Sequence, residues 1–246
     1  MLVAAAVCPC PPLLVPDVAA GAAPELDGAR TACSDALAVL AASRPDRLVV
    51  VGPGAAEGLE RYPAGSAGDF RGFGVDVRVR LGSGSAAGEG RVERDGAGDR
   101  LLPVPLTVGA WLLERVRWAD APVEGLAVAE RLAPARCAEA GRELAAGEGR
   151  LALLVLGDGS ACRDLKAPGY LDERAAPFDE RAARALGSAD TRALAELDEH
   201  LAYELKVAGR APWQVLAGAA EGAGLEGRLL HEEAPYGVGY FVAAWS

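Results

Sequence analysis

A chain of 246 residues, 51% apolar and 24% charged with 16 prolines and 31 glycines, has the composition of a globular protein large enough for an enzyme, which excludes disordered, collagenous and membrane-spanning classes. The net charge is −10 and the charges are scattered without a basic run, so no nucleic-acid partner is expected. Only two histidines occur, His200 and His231, which excludes a histidine cluster in the N-terminal half. Ile and Asn are absent, Gln214 is the single glutamine, and Lys166 and Lys206 are the only lysines among 25 basic residues. This bias is expected of a GC-rich coding genome and says little about function.

Leu2 to Val7 reads as a first strand. No positive residue precedes Arg30, and prolines 9, 11 and 12 break the apolar stretch, so it is not read as a secretory signal. No run approaches the roughly 20 apolar residues of a membrane span. The five cysteines form no repeated CxxC spacing, which points to reduced thiols and a cytoplasmic protein. Helical spacing of apolar residues follows over Ala23 to Ala42, then a strand over Leu48 to Val51. The stretch from Arg61 to Asp99 is rich in Gly, Ser, Asp and Arg around the alternating segment Val75 to Leu81, which suits an edge strand or hairpin with one wet face.

Beyond it the pattern predicts a helix over Thr107 to Trp118, a strand over Leu126 to Val128, a helix over Pro134 to Ala146 and a strand over Leu151 to Leu156. Helices are expected over Pro177 to Leu186, over Thr191 to Val207 behind the start signal Ser188-Ala189-Asp190, and over Pro212 to Ala223. The chain ends in two strands, Leu229 to Glu233 and Tyr240 to Trp245, with Ala234-Pro235-Tyr236-Gly237 turning between them. Strands alternating with helices predict a three-layer α/β/α sandwich with a largely parallel or mixed sheet. No linker and no repeat divides residues 1–246, so one domain is expected.

In such a sheet ligands gather beyond the carboxyl ends of the strands. Three loops stand there: Cys8-Pro9-Cys10-Pro11-Pro12, Gly52-Pro53-Gly54 and Gly157-Asp158-Gly159-Ser160-Ala161. Nothing in the sequence supplies a base that would activate the Cys10 thiol, so a buried structural thiol is the preferred reading. Gly159-Ser160-Ala161-Cys162 lacks the G-x-S-x-G elbow, and no histidine is near it by motif, which argues against a hydrolase. Asp158, Glu204 and Arg210 are read as lining a small polar pocket, Arg210 being suited to a carboxylate or phosphate. The bland alternative has Asp158 capping its turn and Arg210 pairing with an exposed acid.

In order and flanks these loops resemble the subunit-B superfamily of class III extradiol ring-cleavage dioxygenases, with the Memo-type proteins of the same fold. PCPPLLVP resembles the family's PHPPLLVPE, VVVGPG its strand ending in SPH, VLGDGSA its strand ending in D-x-S-H, and AGRAPWQVLAGAA its CGR-x-P segment and helix. The wider wording looks most like an uncharacterised actinobacterial branch. The resemblance implies the extradiol subunit-B type of sandwich and a non-haem Fe(II) held by two histidines and a carboxylate, with a further histidine as acid/base. Here the first histidine position reads Cys10, the second Gly54, the acid/base position Ala161, and the position of the Memo-type cysteine Ala208. The pocket candidates are therefore Cys10, Gly54, Asp158, Ser160, Ala161, Glu204, Ala208 and Arg210.

What this implies is a divergent, non-catalytic member that keeps the scaffold and a pocket for a small aromatic or acidic ligand, with no metal at the usual site. The alternative is an active Fe(II) dioxygenase that opens catechol-type rings through a relocated site drawing on His200, Glu204 and His231. By resemblance, homo-oligomers are also expected.

Overall fold

The structure, a computed structural model, describes residues 1–82 and 100–246. Strand β1 (Leu2–Cys8) leads through a single helical turn α1 (Pro16–Ala19) into α2 (Asp27–Ala42). Next come β2 (Arg47–Gly54), β3 (Leu59–Tyr62), β4 (Ala67–Asp69), β5 (Arg78–Arg80), α3 (Val104–Arg115), β6 (Val123–Ala129), α4 (Pro134–Ala146) and β7 (Leu151–Leu156). Helices α5 (Ala175–Gly187), α6 (Thr191–Ala195), α7 (Glu199–Glu204) and α8 (Arg210–Ala219) precede β8 (Gly227–Glu233) and β9 (Tyr240–Trp245).

Seven strands form one sheet in the order β3-β6-β2-β7-β1-β9-β8. The inner four, β6, β2, β7 and β1, run parallel, while β3 and β9 pair antiparallel with their neighbours. The continuous apolar runs are explained by burial on both faces, since successive side chains point to opposite sides of a strand. In β1, Ala4, Ala6 and Cys8 enter one core and Ala5 and Val7 the other; in β7, Leu154 and Leu156 go one way and Leu153 and Val155 the other. Helices α2 and α3 close the first core, and α4, α5, α6, α7 and α8 the second. The three-layer α/β/α sandwich expected from the sequence is the fold observed. None of the described helices is long and apolar enough to cross a membrane.

Four elements differ from the sequence expectation. Of Val75 to Leu81 only Arg78–Arg80 is a strand, and it pairs with Ala67–Asp69 as a ribbon outside the main sheet. Its alternation is as expected, with Val79 buried between two exposed arginines. The rest of the Gly- and Ser-rich stretch, from residue 83 to 99, lies outside the described residues. The helix expected over Thr191 to Val207 is two helices, because Asp190 accepts from the Ala193 N–H and Asp198 from the Leu201 N–H, each carboxylate starting a new helix. Strands β3 and β4, with few apolar residues, carry no periodic signal that distinguishes them from loops.

On the second face α4 and α8 touch backbone to backbone. A Cβ at Gly218 would lie 2.1 Å from the Ala138 carbonyl oxygen, and one at Gly141 2.0 Å from the Val215 carbonyl oxygen. In an open helix Gly→Ala stabilises by up to about 1 kcal/mol. Here the sign reverses: Gly218→Ala is expected to destabilise by at least ~1–3 kcal/mol, the ordinary cost of overpacking, read as a lower urea midpoint at unchanged slope.

Candidate functional site

The carboxyl ends of β1, β2, β6 and β7 lie along one edge of the sheet, and the loops leaving them bring the candidate residues to it. Cys10 follows β1, is buried, and donates its backbone N–H to Asp158 Oδ1 at 2.8 Å. Burial pushes the Cys10 thiol well above its ordinary range, and the neighbouring carboxylates Asp158 and Glu130 push it further. It is therefore a neutral thiol, neither a nucleophile nor a ready thiolate ligand. Asp158, half-buried after β7, is raised to about 7 by desolvation; the Cys10 N–H pulls the other way but more weakly. The Tyr240 phenol on β9 is raised by burial and then by its closeness to Asp158 and Cys10. Three weakly acidic groups from β1, β7 and β9 thus meet, and none carries a stable charge at neutral pH except Asp158 near its midpoint.

Gly54 ends β2 beside β6. A Cβ placed there would stand 2.8 Å from the Ala127 Cβ, so any side chain requires the two strands to shift. Ser160 is fully buried; its hydroxyl donates to the Leu205 carbonyl at 2.9 Å and accepts from the Cys162 N–H at 3.0 Å. Ala161 is half-buried and tied by its N–H to the same Leu205 carbonyl at 3.1 Å. Ala208 is half-buried just before α8. Neither alanine has a group that can ligate or titrate.

Glu204 and Arg210 do not line a polar pocket at the Asp158 edge. Glu204 is exposed at the end of α7, paired with Arg174 at 2.7 Å and His200 Nε2 at 3.2 Å. Arg210 is 1% exposed, and its guanidinium donates to the Leu132 carbonyl at 2.6 Å, to Gln214 Oε1 at 2.9 Å and to the Glu130 carbonyl. Gln214 in turn donates to the carbonyls of Ala195 and Leu197, where α6 stops. The charge of Arg210 is solvated by carbonyl dipoles inside the protein and is not offered to a ligand. Its place as an acid receptor, read from the sequence, is corrected on this ground.

The two histidines are also apart. His200 sits on α7, whose apolar residues pack into the second core, whereas His231 on β8 lies against Gly28 of α2 on the other face. Among the described residues no group of three or more His, Cys, Asp or Glu side chains is placed to hold a metal ion.

A surface hollow of ≈ 760 Å³ opens at the carboxyl ends of β2 and β6. Pro53 and Gly54, Pro103 and Pro105 at the start of α3, and Ala129 line it with apolar surface, while Glu57, Glu130 and Arg131 supply charge. Arg131 lies over the Tyr203 ring, 4.6 Å from its centroid, and the pair forms one wall. Of the eight candidates only Gly54 lines this hollow. Glu57, Glu130, Arg131 and Tyr203 carry no motif, yet Ala129-Glu130-Arg131 follows the apolar run Leu126 to Val128, and the strand-end rule that selects the other three loops selects this one too.

No protein-family model matches the chain, and no curated protein matches it. Its structure is similar to the crystal structure of an uncharacterised protein, JW3007, from Escherichia coli K12, with a TM-score of 0.55 at 16% identity over 99% of this chain and 99% of that one. At that identity the likeness concerns the fold alone.

Asp158 is ordinarily ionised above about pH 4 in an unfolded chain, whereas in the fold it ionises at about 7. Both states are protonated below pH 4. From there to pH 7 the unfolded chain gains from ionisation that the fold resists, so this contribution to stability is lost as pH rises. Asp158→Asn keeps an acceptor for the Cys10 N–H without titrating. Its stability relative to the parent is expected to rise by about 2–4 kcal/mol between pH 4 and pH 8, measured by urea denaturation of both proteins across that range. Arg210→Met leaves the Glu130, Leu132 and Gln214 acceptors unpaired in the interior and is expected to cost ~3–5 kcal/mol in the same assay.

Proposed function

We propose that this protein is a divergent member of the extradiol subunit-B type that lacks the family's iron site and holds a small molecule at the carboxyl edge of its sheet. The ordered motifs from Pro9 to Ala220 support the kinship, and the sandwich is the architecture they imply. The observation that carries the functional reading is Gly54: it takes a ligand position, has no donor, cannot accept a Cβ without displacing Ala127, and instead lines the ≈ 760 Å³ hollow. That volume lies within the range of small-molecule sites.

A ferrous ion is what the resemblance implies, and the residues present do not fit it. Cys10 is a buried neutral thiol, Gly54, Ala161 and Ala208 have no donor atom, and Asp158 is half protonated near neutrality. A 2-His-1-carboxylate face requires neutral imidazoles beside an ionised carboxylate, and this edge has no imidazole. All five cysteines are free and buried, which favours a reducing compartment such as the cytoplasm.

Anaerobic incubation with Fe(II) followed by desalting is expected to leave far less than one iron per chain, with no oxygen uptake when catechols are added. One iron per chain with stoichiometric uptake of O₂ would overturn this reading. A thermal-shift screen of small aromatic compounds is expected to find stabilising ligands whose effect disappears in Ala56→Trp, which fills the hollow from the loop between β2 and β3.

A further inference from the structure

The charges around the hollow bear on which ligand it takes. Its floor is proline and alanine, and its two carboxylates, Glu57 and Glu130, enter no ion pair among the described residues. A second hollow of ≈ 500 Å³ shares the Arg131–Tyr203 wall and adds Glu196, Asp198, Glu199 and His200. Of the five carboxylates across the two hollows, Glu196 is paired with Arg192 at 2.8 Å and Asp198 caps α7, while Glu57 and Glu130 in the first hollow face only the Arg131 guanidinium, which lies over the Tyr203 ring. Arg210, a further cation near this edge, is buried on backbone carbonyls. The chain as a whole carries a formal charge of −10, which favours the approach of a cation over that of an anion.

We propose that the groove takes an organic amine, with an apolar body against Pro53, Pro103 and Pro105 and an ammonium group at the Glu57 and Glu130 carboxylates. This rests on the small-molecule reading above and separates the two ligand chemistries that the sequence leaves open. An acidic ligand would meet uncompensated carboxylates, whereas a cation gains from each of them. The apolar floor sets the rest of the molecule: a fully hydrated polyamine would gain nothing from proline surface, while an aryl or alkyl group of a few carbons is desolvated there. Because the carboxylates stand at a solvent-exposed rim, their attraction is screened by salt over roughly 8–10 Å, so the preference for charge is strongest at low ionic strength.

Three matched probes test this by titration calorimetry on the full chain at pH 7: 2-phenylethylamine, 2-phenylethanol and phenylacetate, which share a ring and differ in charge. The amine is expected to bind at least tenfold tighter than the alcohol, and phenylacetate more weakly than either. The amine-to-alcohol ratio is expected to fall several-fold between 20 mM and 500 mM salt, and to approach one in the double variant Glu57→Gln, Glu130→Gln. Equal binding of amine and alcohol, or tightest binding of phenylacetate at Arg131, would overturn the amine while leaving the pocket standing. Failure of all three to bind the parent protein would remove both. The salt series on the parent protein decides the matter even if the double variant does not fold.

Discussion

The buried guanidinium of Arg210 organises the working edge of this fold. A lone charge in the interior is costly unless it is fully hydrogen-bonded. Here the bonds reach three separate pieces of chain: the loop after β6 through the Glu130 and Leu132 carbonyls, α8 through Gln214, and the end of α6 through the Ala195 and Leu197 carbonyls that Gln214 covers. Glu130 and Leu132 flank Arg131, so the same contacts that satisfy Arg210 fix the backbone from which Arg131 reaches Tyr203. The wall between the two hollows therefore depends on a residue that touches neither of them.

Along the strand ends, chemistry and cavity have separated. Cys10, Asp158 and Tyr240 gather where an α/β sheet ordinarily works, but burial holds the thiol and the phenol neutral and leaves the carboxyl poised. The hollow lies at the ends of β2 and β6, walled by prolines. A site suited to metal chemistry needs several donors that converge with their charges compensated. This edge has a single carboxyl group facing a thiol on one side and an apolar recess with an acidic rim on the other, an arrangement suited to binding by shape and charge.

Much of the fold was legible in the sequence because two of its signals are local. Apolar runs such as Leu151 to Leu156 are long enough to be strands and too uniform to be half-wet ones, and burial on both faces explains them. Capping is equally local, and Asp190 does start a helix as its position suggests. The second cap, Asp198, is the same signal inside a stretch whose apolar spacing runs on, and there the carboxylate prevailed over the periodicity. Cys10 and Asp158 were identified as neighbours of one edge through the strand-end rule, although their direct contact joins positions 148 residues apart.

What the sequence determined by itself was the class of fold, the loops that reach the carboxyl edge, and the absence of ligating side chains at Gly54, Ala161 and Ala208, because periodicity and residue chemistry are properties of short segments. Only the tertiary structure decided the strand order, the use of Arg210, and the position and charge of the hollow. Those depend on which distant backbone carbonyls and carboxylates face one another. An arginine reads the same in sequence whether it meets a ligand's carboxylate or the carbonyls of its own chain; burial and geometry assign it here to the second.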